Sequence, residues 1–142
     1  MKLEIVKIKE DVTLPEKATP GSAMYDIYAA EDAKIPPRTV RKISTGIKVA
    51  IPKGYKMLLY PRSSMGMKAV NLANGVGVID SDYRGEIMVI LHNLSDEDFI
   101  VLRGARIAQM EVVPVGEDLD FSEVEELGTT ERGEGGFGHT GV

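Results

Sequence analysis

The chain has 142 residues, of which 43% are hydrophobic and 27% charged, with a formal net charge of −5. That length fits one domain, and the apolar share is enough for a buried core. A non-specific nucleic-acid binder would carry the opposite charge, so stable nucleic-acid binding is not expected. Cysteine is absent, which excludes disulfides and thiolate metal sites.

The N-terminal MKLEIVKIKE alternates charged and apolar residues and offers no continuous apolar stretch for a signal peptide or membrane span. A soluble, cytoplasmic protein is the simplest expectation. Residues 3–8 read as a first strand that is apolar on both faces. In Tyr25-Asp26-Ile27 a carboxylate sits near an otherwise apolar strand, where it suits either an edge-strand charge or an anchor for magnesium-bound water. Residues 45–51 alternate, placing Ile47, Val49 and Ile51 on one side. Residues 55–60 form the next strand, and Pro61 closes it; Pro36, Pro37, Pro52 and Pro114 also fall at strand ends.

Pro61-Arg62-Ser63-Ser64 then leads into the one stretch suited to a short helix, residues 63–73, with Ser63 or Ser64 as its cap. Backbone amides, two hydroxyls and a guanidinium together suit phosphate oxygens, although a capped helix with a surface arginine accounts for the same residues. The apolar run Val76–Ile79 ends in Asp80, followed by Ser81-Asp82-Tyr83-Arg84-Gly85. A carboxylate at a strand end can act as a general base on water. Asp and Gly are also what a hairpin turn requires. Residues 86–92, 98–102 and 107–113 complete the strands. Arg106 is placed to pair with an internal carboxylate and Gln109 to hydrogen-bond a ligand. The seven methionines read as core filler. Many short strands with no long helical period indicate an all-β jelly roll, sandwich or barrel.

Residues 117–126 are acidic and expected at the surface. Beyond them, residues 128–142 hold Gly128, Gly133, Gly135, Gly136, Gly138 and Gly141, a density that disfavours a regular element and predicts a mobile arm. Within it, Phe137 offers a face for stacking on a base and Arg132 a charge for a phosphate, and glycine amides can approach phosphate closely.

Five segments in order, GSAMYDIYAA, PRSSMGMK, NGVGVIDSDYRGE, GARIAQM and ERGEGGFGHTG, resemble the motifs of the homotrimeric dUTPase family, from Gly21 to Gly141. Three positions depart from its usual pattern: Met24 and Ser64 stand where glycine is common, and His139 where serine is frequent. The resemblance implies a distorted β jelly roll over residues 1–127 with a flexible C-terminal arm, assembled as a trimer with active sites between subunits. It implies hydrolysis of dUTP to dUMP and pyrophosphate with Mg2+, which keeps uracil out of DNA and supplies dUMP. On this resemblance Asn74 and the backbone at Gly77–Val78 receive uracil in a hairpin pocket, and Tyr83 packs on the deoxyribose and excludes a 2′-hydroxyl. Asp80 activates the water and contacts the 3′-hydroxyl, and Asp26 holds waters on the metal. Arg62, Ser63, Ser64 and Gln109 contact the phosphate chain. Arg132, Gly135, His139 and Thr140 close over the terminal phosphate, and Phe137 over the uracil, from a different subunit than Asp80.

The dCTP deaminase family resembles the same fold and several motifs but carries a glutamate on the strand after the third motif. Alignment at Gly85 and Asn93 puts Ile90 there, and an isoleucine cannot shuttle protons. A non-catalytic scaffold of the same shape would have no need of Asp80, Arg62 and Arg132 together.

Overall fold

The computed structural model describes residues 1–141; Val142, the last residue assigned to the arm, lies outside the described residues. Ten strands and one helical turn are found among them: β1 (Glu4–Lys7), β2 (Tyr25–Tyr28), β3 (Ala33–Ile35), β4 (Val40–Ala50), β5 (Tyr55–Tyr60), α1 (Ser63–Gly66), β6 (Val70–Leu72), β7 (Gly77–Ile79), β8 (Glu86–Asn93), β9 (Phe99–Val101) and β10 (Arg106–Pro114). They form two four-stranded sheets, in the orders β1-β4-β8-β6 and β2-β10-β5-β7, and a two-stranded β3-β9 pair. Every pairing is antiparallel, as expected for a distorted jelly roll.

The period-2 pattern decides which faces meet. On β8, Ile87, Val89, Leu91 and Asn93 are buried while the residues between them are half-buried. Together with Ile27, Ile43, Ile47, Met57 and Ile107 they fill the space between the sheets. Each such aliphatic side chain contributes about 1.5–3 kcal/mol by leaving water. The one polar member with no exposure, Asn93, donates its amide to the carbonyls of Ile35 and Glu97 at 2.8 and 2.7 Å, so its burial leaves no donor unpaired.

Four expectations need correction. β1 is an edge strand paired only with β4: Leu3 and Ile5 pack on the core, whereas Val6 on the opposite face is exposed. The expected helix over residues 63–73 shrinks to four residues, because Ala69 turns to φ +56° and Val70 enters β6. Its N-cap is Arg62, and neither serine caps it. β7 pairs with β5 and β8 with β4 and β6, so residues 80–85 carry the chain from one sheet to the other instead of closing a hairpin; β6 and β7 likewise belong to different sheets. Of the methionines, Met57, Met65 and Met110 are core residues, while Met1 and Met67 are exposed.

Candidate active site

The predicted site residues fall into three separate groups. The first lies where β2, α1 and β10 converge. The ladder places Gln109 on β10 between Asp26 on β2 and Tyr60 on β5, and a bulge between Arg106 and Ala108 re-aims the start of β10. Asp26 is a largely buried carboxylate, its side chain 12% exposed. Its Oδ1 lies 3.5 Å from Nε of Arg62 and its Oδ2 3.5 Å from Nε of Arg106. Arg62 also donates to the Arg106 carbonyl at 3.2 Å, and Gln109 donates to the Pro61 carbonyl at 3.2 Å. Two guanidinium groups against one carboxylate leave one net positive charge. That charge faces an open cavity of about 430 Å³ whose polar lining is Asp26, Arg62, Ser63, Ser64, Arg106 and Gln109, with Ser22 at its edge. A cationic recess with hydroxyl and amide donors suits a chain of phosphates.

The metal expectation can be tested against this donor set. No group of three His, Cys, Asp or Glu side chains suited to a metal occurs among the described residues, and Asp26 is the one acid lining this cavity. One carboxylate cannot cage a cation. It does fit magnesium, which keeps several waters and takes its remaining ligands from substrate phosphates.

The second group surrounds β7. A cavity of about 220 Å³ is lined by Asn74, Gly77, Val78, Asp80 and Tyr83 on one side and by Glu86 and Ile90 of β8 on the other. Gly77 permits the close approach of β7 to β5, since a Cβ there would lie 3.0 Å from Cβ of Leu59. The carboxylate of Asp80 stands at the exposed end of β7, and the Asp80 carbonyl accepts the Tyr83 amide at 3.2 Å. Ile90 forms part of this wall, so the position a deaminase would give to glutamate is aliphatic. Leu59 of β5 also lines this cavity, and nothing in the sequence pattern points to it.

The third group is the C-terminal arm, in which no strand or α-helix occurs among the described residues. Among the described residues its hydrogen bonds are internal: Arg132 donates to the Gly135 carbonyl at 2.8 Å, the Gly133 amide to the Thr130 hydroxyl at 3.1 Å, and the His139 amide to the Gly136 carbonyl at 3.1 Å. The His139 ring folds over Gly135, where a Cβ would lie 2.5 Å from its Cδ2. Phe137 is held at φ +52° with its ring fully exposed. Arg132, Phe137, His139 and Thr140 line a concavity of the arm itself. The three linings have no residue in common.

The family model described as dUTPase matches residues 10–141. A deoxyuridine 5′-triphosphate nucleotidohydrolase of Hydrogenobaculum sp. (strain Y04AAS1) is 45% identical over 144 residues, covering 100% of this chain and 99% of the relative. The enzyme of the same name from Dictyoglomus turgidum is 45% identical over 143 residues, covering 97% of each. Among solved structures, a substituted Staphylococcus bacteriophage 80alpha dUTPase with dUpNHpp superimposes with a TM-score of 0.85 at 28% identity, over 99% of both chains. A substituted dUTPase from phage phi11 of S. aureus, described for its coordination of a structural Mg(II) ion, gives a TM-score of 0.78 at 25% identity, over 89% of this chain and 98% of the other.

Proposed function

This chain belongs to the dUTPase family and hydrolyses dUTP to dUMP and pyrophosphate, and we propose that it does so at sites shared between the subunits of a homotrimer. The observation that carries the proposal is the separation of the three groups. The phosphate recess, the cavity at Asp80 and the arm are each lined without a residue of the others. This supports a reading in which a nucleotide that uses all three draws them from different copies of the chain. The body is then residues 1–127 and the lid residues 128–142.

In this reading Asn74, Gly77 and Val78 receive the uracil and Tyr83 the deoxyribose. Arg62, Ser63, Ser64 and Gln109 hold the phosphate chain. The attacking water gives its proton to Asp80 as its oxygen bonds to the α-phosphorus. The bond from that phosphorus to the bridging oxygen breaks, and pyrophosphate departs with the electron pair. The obstacle is electrostatic, because negative charge repels the nucleophile and accumulates on the leaving group. Arg62 in the recess and Arg132 from the arm offset that charge. Bound magnesium would neutralise further charge across the phosphate oxygens, with Asp26 holding its waters. Arg132, Gly135, His139 and Thr140 close over the terminal phosphate and Phe137 over the base, excluding bulk water and strengthening each charge interaction. The enzyme works in the cytoplasm, on free nucleotide.

The test is pyrophosphate release from dUTP, dCTP, dTTP and UTP, with and without magnesium. Magnesium-dependent release from dUTP alone is expected. Sustained ammonia release from dCTP would overturn the reading.

A further inference from the structure

We propose that Gly85 and Glu86 are positioning residues that clamp the Tyr83 ring and thereby set discrimination against ribonucleotides. The inference rests on the reading of Tyr83 as the wall against the sugar.

Tyr83 is 45% exposed, so burial alone does not hold its ring. Two local contacts do. The hydroxyl donates to the Glu86 carbonyl at 2.9 Å, which ties the far end of the side chain to the first residue of β8. The ring also lies against the Gly85 backbone: a Cβ there would meet Oη at 2.3 Å and Cζ at 2.5 Å. Any residue but glycine would therefore push the ring off its seat.

The Glu86 carbonyl is itself fixed by the Glu86 side chain. Its Oε1 accepts the Gly46 amide at 2.8 Å and also the Ser44 hydroxyl. Ser44 in turn accepts Nζ of Lys9 at 2.7 Å. Ser44 stands at the start of the irregularity in the β4–β8 ladder that runs to Lys48, and Gly46 lies within it. Gly46 sits at φ +69°, and a Cβ on it would come within 2.6 Å of Val12 Cγ2, so this anchor is sterically set within the core. A chain of contacts thus runs from Val12 and Gly46 through the Glu86 carboxylate and carbonyl to the Tyr83 hydroxyl. A tyrosine held at both ring and hydroxyl cannot swing aside for one more oxygen on the sugar. A carboxylate that lines the nucleoside cavity, and that the hydrolytic step does not use, thereby has a task.

The experiment compares kcat/KM for dUTP and UTP in the assembled enzyme and in five variants. Tyr83→Ala tests the underlying reading. Tyr83→Phe removes only the hydroxyl, from an exposed side chain, and so preserves the fold. Gly85→Ala displaces the ring, Glu86→Ala removes the anchor, and Glu86→Gln keeps an acceptor oxygen. The dUTP:UTP ratio is expected to fall about 10-fold or more in Tyr83→Ala, Tyr83→Phe, Gly85→Ala and Glu86→Ala, and to stay within about twofold in Glu86→Gln. The loss should lie in a rise of kcat/KM for UTP relative to that for dUTP; a merely structural defect would depress both substrates together and leave the ratio alone. If Tyr83→Ala leaves the ratio unchanged, Tyr83 is not the sugar wall and the underlying reading falls. If Tyr83→Ala lowers it while Tyr83→Phe and Gly85→Ala do not, the clamp is overturned and the sugar wall stands.

Discussion

Nε of Arg106 lies 3.5 Å from Oδ2 of Asp26, on the opposite side of the carboxylate from Arg62. Asp26 is thereby shared, and neither arginine is fully neutralised by it. Arg106→Gln should leave Asp26 leaning on Arg62 alone, which withdraws that guanidinium from the phosphates. KM for dUTP is expected to rise about 10-fold, equivalent to about 1.4 kcal/mol of binding. The stability cost should be smaller, about 1 kcal/mol or less, because the Arg106 side chain is half-exposed and solvent screens the pair. Arg106→Lys should recover only part of the loss, since an ammonium cannot reproduce the directed Nε–H. Steady-state kinetics with a urea titration separates the two effects; an unchanged KM in Arg106→Gln would show that the shared carboxylate does not matter for binding.

Asp80→Asn should keep nucleotide binding and lose turnover. The carboxylate is exposed at the end of β7 and no hydrogen bond to its side chain is seen among the described residues, so its removal disturbs no packing. A drop in kcat of about 10²- to 10⁴-fold is expected for loss of a general base. Binding of a substrate analogue should be equal or slightly tighter, because the amide no longer repels the polyphosphate. Calorimetry against single-turnover rates checks both halves, and wild-type turnover would show that the base is another group.

Removal of residues 128–142 should abolish most activity while leaving the body intact. The hydrogen bonds seen for residues 128–141 lie within the arm, and Leu127 and Phe137 are exposed, so little core packing is forfeited. A Tm shift under about 2 °C is expected, together with a fall in kcat/KM of about 100-fold or more from loss of closure. Scanning calorimetry, sizing and kinetics on the truncated chain decide it. Full activity would contradict the lid.

Parts of this arrangement were legible in the sequence, for physical reasons. Strand β5 has the expected bounds because its apolar run ends at Pro61, whereas β8 extends one residue further than expected and β10 one residue further at each end. β3 and β6, three residues each, carry too little periodicity to be read, and β4 begins earlier than its alternation does because Gly46 interrupts the ladder there. The pairing of Arg106 with an internal carboxylate was foreseeable as chemistry, but its partner was not. Asp26, Arg62 and Gln109 meet only through sheet register, which spacing along the chain does not encode. Gly85 looked like turn punctuation. Only the position of the Tyr83 ring shows why that residue has to be glycine.

Tyr28, which pairs with Arg106 across the β2–β10 ladder, gives stability a pH dependence at the alkaline end. Its hydroxyl donates to Oε1 of Glu16 at 2.8 Å; burial, reinforced by that bond, holds its pKa above the ordinary 10.0. Tyr60, bonded to Glu111 at 2.9 Å, is raised in the same direction, chiefly by that bond. A phenol whose folded pKa exceeds its unfolded one binds its proton more tightly in the folded state. Its contribution is therefore complete below the unfolded pKa near 10.0 and is lost as pH climbs through the folded value. Urea midpoints should be insensitive to these two groups up to about pH 9 and fall increasingly above pH 10. The double variant Tyr28→Phe, Tyr60→Phe starts from a lower midpoint, having lost two hydrogen bonds, but should show a shallower alkaline decline. Parallel declines in the two proteins would mean that other groups carry the alkaline loss and that the carboxylate bonds of Tyr28 and Tyr60 do not persist in solution.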